Sequence, residues 1–91
     1  MNNSDDVIAS RLLLLLEQRS ADASICPSDV ARSLEQEESR WRALMPDVRR
    51  IASAMAAAQV IEVTQGDARI ELSLETTGPI RLRRGKRFKR S

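Results

Sequence analysis

The side chains in this 91-residue sequence best equipped for chemistry are its arginines. Arg42, Arg49 and Arg50 lie within the stretch from Trp41 to Gln59, and at 100° per residue they gather with Ser53 on one side, beside the small Ala54 and Ala57. A guanidinium pairs bidentately with guanine or with phosphate, and a helix lying in a major groove presents such side chains to base edges. The same pattern also describes a solvated basic face, and Asp47 beside it would repel phosphate. A second set comprises Arg81, Arg83, Arg84, Lys86, Arg87, Lys89 and Arg90. These seven cations face no acid within residues 81–91, whereas eight cations against thirteen acids leave residues 1–80 at −5. Such a run can neutralise several phosphates, giving steep salt dependence without sequence preference. Its Phe88 could stack on a base. The competing reading is a solubilising terminus, or one that meets the acidic body of a neighbouring molecule.

Other chemistry is poorly supplied. There is no histidine or tyrosine, so the commonest general base and the usual neutral metal ligand are missing, and one cysteine makes no thiolate zinc site. No catalytic residue, cofactor or metal site is expected. Glu35, Glu37 and Glu38 read as a solvated charge run rather than a cation site. Cys26 precedes a helix start, where a thiol can become oxidisable, but it reads instead as a small half-buried residue leading into Pro27, kept inert by apolar surroundings. A lone cysteine fits a reducing cytoplasm. The acidic opening residues do not resemble an export signal, and the Leu12 to Leu16 run is too short to span a membrane. The tail lacks the apolar face that membrane attachment needs.

The elements that must position these residues follow from periodicity. Ser4 or Asp5 caps a first helix reaching about residue 19, with Ile8, Leu12, Leu15 and Leu16 as its core face. Leu14 falls outside that face, as a solvated residue or the seed of a dimer contact. Residues 24–26 suit a short extended segment, and Pro27 suits the first position of a second helix ending near residue 35. Trp41, Leu44, Met45, Val48, Ile51, Ala52 and Met55 form the buried stripe of a long third helix, with Trp41 as the largest core residue. Pro46 inside it predicts a kink, or a single turn followed by a helix from residue 46 to about 58. From Val60 the period falls to two. Residues 60–65 and 69–74 read as strands around a Gly66-Asp67 turn, and Ile80 and Leu82 belong to a further strand. Which of these pairs with residues 60–65 is left open by the pattern. The segment between Gly66 and Pro79 has net charge −2, unlike a wing that grips a phosphate backbone.

Three helices followed by a hairpin of strands is the plan of a winged helix, an α+β and mainly α fold containing a helix-turn-helix. Four motifs in order, from Ile25-Cys26-Pro27-Ser28-Asp29-Val30-Ala31-Arg32 through Trp41-Arg42-Ala43-Leu44-Met45-Pro46-Asp47-Val48-Arg49 and Val63-Thr64-Gln65-Gly66 to Gly78-Pro79-Ile80-Arg81-Leu82-Arg83, resemble a family of small bacterial proteins, the domain of unknown function DUF3253. The resemblance implies a winged-helix-like fold over residues 1–85 and no particular activity; residues 86–91 form a basic tail expected to be disordered. The leading expectation is a cytoplasmic, transcription-regulator-like protein that binds double-stranded DNA through Arg42, Arg49, Arg50 and Ser53 and through the seven cations from Arg81 to Arg90. The alternative is a winged-helix protein-interaction module, in which the acidic body or the exposed Leu14 surface of the first helix docks a protein partner or second copy and the third helix is merely solvated.

Overall fold

The first helix, α1, spans Asp5–Glu17 and starts where the Ser4 hydroxyl accepts the Val7 amide. Ile8, Leu12 and Leu16 are its buried stripe, and Leu15 packs against the core from its edge, as the spacing predicts. The computed structural model describes residues 4–73 and 76–89. A two-residue strand, β1 (Ser24–Ile25), leads into α2 (Pro27–Leu34), where Pro27 begins the helix and the Asp29 carboxylate accepts the Cys26 amide at 2.9 Å. Val30 and Ala31 are buried between the helices.

The third helix, α3 (Glu38–Ala57), is one continuous 20-residue element with Pro46 inside it. The in-phase stripe explains why Pro46 does not divide it: Val48, Ile51 and Ala52 are buried and Leu44, Met45 and Met55 pack beside them, so burial on both sides holds the axis through one missing hydrogen bond. Trp41 is only half-buried, at the edge of the stripe rather than inside it, with the Arg32 and Arg42 guanidinium carbons 4.7 and 4.8 Å from its ring centroid. The helix ends at Ala57, and Gln59 two residues on has a left-handed φ of 65°. The Gln59 amide donates to Ala56 and the Val60 amide reaches back to Met55, both at 3.0 Å, which satisfies the last carbonyls and turns the chain into the sheet.

Three more strands follow: β2 (Ile61–Gln65), β3 (Ala68–Ile70) and β4 (Arg81–Arg84). The antiparallel sheet runs β1-β4-β2-β3, so β2 pairs with both candidates, Val63 lying opposite Ile70 on one side and Leu82 on the other. Gly66, at φ 61°, takes the first central position of the β2–β3 turn, where a glycine matches the twist of the strands. Ile61, Val63, Ile80 and Leu82 close the core against the helices, while Arg81 and Arg83 alternate onto the other face of the sheet. Leu74, placed by its period in the second strand, and Glu75 lie outside the described residues. Three helices and a small antiparallel sheet, mainly α, are compatible with a winged-helix-like α+β fold.

Candidate nucleic-acid interface

The four α3 residues all face partners within the chain. Arg42 donates to Glu38 at 2.7 Å, one helical turn away. Arg50 grips the Asp5 carboxylate with both terminal nitrogens, at 3.0 and 2.7 Å, and touches Asp47 at 3.3 Å. That hydrogen-bonded fork holds the Asp5 carboxyl below its usual range and stabilises the charged guanidinium further. Arg49 donates to the Thr76 carbonyl at 3.2 Å, and Ser53 to the Leu72 carbonyl at 2.9 Å. Leu72 and Thr76 thus bear on the part of α3 that the sequence assigns to a groove. Arg42 and Arg50 remain largely exposed in their ion pairs, and exposed pairs are weak enough for a phosphate to compete.

The second set divides by role. Arg81 is spent on the β1–α2 junction, where it donates to the Ser24 hydroxyl at 3.0 Å, the Ser24 carbonyl at 2.9 Å and the Cys26 sulfur at 2.7 Å. Sequence gives no signal of this clamp, since 55 to 57 positions separate its members. Arg84 reaches from β4 to the end of α1, donating to the carbonyls of Leu16, Glu17 and Arg19 at 3.1, 3.4 and 2.9 Å. Because α1 has no basic residue in its own last turn, this borrowed cation completes its C-terminus. Arg83 is half-buried on β4 between Ser24 and Glu62 in register, with its Nε enclosed and unpartnered.

Lys86, Arg87 and Lys89 are exposed. The ion pairs among the described residues belong to Arg40, Arg42, Arg50 and Arg69, so none of these three is spent on an acid there. The segment carrying them begins as an anchored turn: the Gly85 amide donates to Val60, the Arg87 amide to Gln59 and the Phe88 amide to Gly85. Phe88 itself packs against the core with Arg84 over its ring at 4.8 Å, which occupies the aromatic that the sequence offers to a base. Arg90 lies outside the described residues.

A cleft of about 740 Å³, which sequence reasoning misses, separates the Ser53, Ala56 and Ala57 side of α3 from the β2–β3 hairpin. On the acidic turn, Arg40 lies 4.0 Å from Glu35 and 3.9 Å from Glu37, and among the described residues no three potential metal ligands gather. Among the described residues no helix is long and apolar enough to cross a membrane. On the outer side of α1, Val7 and Leu14 are 42% and 44% exposed and frame a shallow hollow.

The model of one family, described as a protein of unknown function (DUF3253), matches residues 5–85. No curated protein matches the chain.

Proposed function

The chain belongs to the DUF3253 family, whose description names no activity, and from that premise we propose that it is a cytoplasmic winged-helix protein that binds duplex DNA chiefly through the basic segment leaving β4. The observation that carries this reading is the acid-free run from Arg81 to Lys89, in which Arg81 and Arg84 brace the fold while Lys86, Arg87 and Lys89 stand exposed. Ammonium and guanidinium groups so displayed neutralise backbone phosphates and release their counterions. The α3 cations contribute second, because Arg42 and Arg50 must trade a carboxylate for a phosphate. Contacts of this kind position a protein on DNA more than they read its sequence.

The test is fluorescence anisotropy with a random duplex across a salt series. Replacing Lys86, Arg87 and Lys89 together by Gln is expected to weaken binding at least ~tenfold at low salt and to lower the salt slope by ~2 to 3, since each phosphate left unneutralised takes ~0.9 from it. Arg49→Ala/Arg50→Ala should change the slope by less than ~1. Absence of binding at ~50 mM salt, or a triple variant indistinguishable from wild type, refutes the reading.

A second reading has its own observation in Val7 and Leu14, which give α1 an apolar stripe at seven-residue spacing. Under this reading the domain docks a protein partner there and α3 stays solvated. Leu14→Glu would abolish that association and leave DNA binding unchanged.

A further inference from the structure

The edge of the sheet beside the 740 Å³ cleft carries Arg69, Ile70 and Glu71 in succession. β3 is the terminal strand in the order β1-β4-β2-β3, and among the described residues no strand pairs with its outer side. The two-residue turn at Gly66-Asp67 makes Gln65 and Ala68 the closing hydrogen-bonded pair, and alternation then makes Val63 and Ile70 another. The N–H and C=O of Arg69 therefore face away from β2; β3 ends at Ile70, and extending it by one residue turns those of Glu71 outward as well.

On this open edge we infer that a second copy of the chain docks, β3 against β3 in antiparallel orientation about a twofold axis through Ile70. In that register Arg69 of each copy lies opposite Glu71 of the other, Ile70 opposes Ile70, and Ala68 opposes Leu72. The outward backbone groups of Arg69, with those of Glu71 once docking extends β3 by one residue, are those a hydrogen-bonded pair requires. Large meets small on the inner face, and opposite charges meet on the outer one. A carboxylate is also in excess at this edge: continuing the β2–β3 register places Glu71 across from Glu62, which shares Arg69 at 3.4 Å. The second copy's arginine offsets that like-charge neighbour. The contact is isologous, so it closes after two copies instead of growing into a filament. It is also small, a single short strand per copy, which places it among weak, reversible interfaces.

Sedimentation equilibrium between ~10 µM and ~1 mM tests the proposal, with circular dichroism confirming that each variant folds. Wild type should populate a dimer. Glu71→Arg and Arg69→Glu should each raise the dissociation constant by ~tenfold or more, because two attractive pairs become repulsive. The double swap Arg69→Glu/Glu71→Arg should restore it, since the same pairs re-form with exchanged signs. A wild-type monomer at ~1 mM overturns the inference. A dimer that ignores both single changes overturns it too, and loss of that dimer on Leu14→Glu would place the contact on α1. Weakening without restoration by the swap rejects the register.

Discussion

Arg84 offers a prediction whose size can be worked from the structure. Its Nη2 carries two hydrogens and faces three carbonyls, so the bonds at 2.9 and 3.1 Å to Arg19 and Leu16 take most of the interaction and the 3.4 Å approach to Glu17 is marginal. The site is half-buried, so water recovers part of what substitution removes, leaving ~1 kcal/mol for each of the two good bonds. A cation at a helix C-terminus adds ~0.3–1 kcal/mol. The enclosed, unpartnered Nε works in the opposite direction. Arg84→Met, which keeps the apolar stem and removes the donors, should therefore lose ~2 kcal/mol out of the ~5–13 kcal/mol expected for a domain of this length. With a urea slope of ~1–2 kcal/mol/M, the unfolding midpoint should fall by ~1–2 M without a change in slope. Arg84→Lys should fall between, since it keeps the charge and loses the planar fork. Lys86→Met, two residues on and exposed, is the control and should stay within ~0.5 kcal/mol. If Arg84→Met shifts the midpoint no more than that control, the α1 terminus is not held from β4 and the reasoning fails.

Two further outcomes rest on single contacts. A Cβ on Gly85 would sit 2.5 Å from the Gln59 carbonyl oxygen and 2.8 Å from the Ile61 backbone, and neither can retreat like a side chain. Gly85→Ala should cost at least ~2 kcal/mol in urea unfolding, and a neutral result would mean that this turn lies farther from the α3–β2 junction. The Asp5 carboxyl is held below its ordinary value of 3.8 by the Arg50 fork, so the unfolded chain binds its proton more readily than the folded one. The stability contributed by Asp5 is present above the ordinary value and is lost as pH falls through the lowered one. The stability gap between wild type and Asp5→Asn should thus be widest near neutral pH and narrow in acid; a gap constant down to about pH 2.5 would contradict the assignment.

Periodicity carried the elements well because it reports burial directly. Ile8, Leu12 and Leu16 on α1, and Val48, Ile51 and Ala52 on α3, are buried where three- and four-residue spacing puts them. Pairing was less legible. Residues 61–65 have two partners because β4 enters between β1 and β2, and an alternating pattern says which face is buried but nothing about neighbours. The arginine surface was least legible of all. A helical wheel places Arg49, Arg50 and Ser53 together, yet their partners Thr76, Asp5 and Leu72 lie 27, 45 and 19 positions away. Trp41 fell short of the core for a similar reason, since Arg32 comes to its ring from the preceding helix. A cation's neighbours are set by tertiary folding, and only tertiary folding separates the arginines that brace this domain from those that face outward.

The place of β4 bears on how the domain comes together during synthesis. This strand follows every other element along the chain, yet it lies inside the sheet, joining β1 to β2. Until residues 81–84 emerge from the ribosome, Ser24 and Ile25 lack the strand they pair with, and among the described residues the β2–β3 hairpin is the sheet left to the nascent chain. The helices can associate early through nearby contacts, whereas sheet closure waits for a partner about sixty residues downstream. A chain cut before Arg81 would therefore lose the keystone of the sheet rather than an appendage.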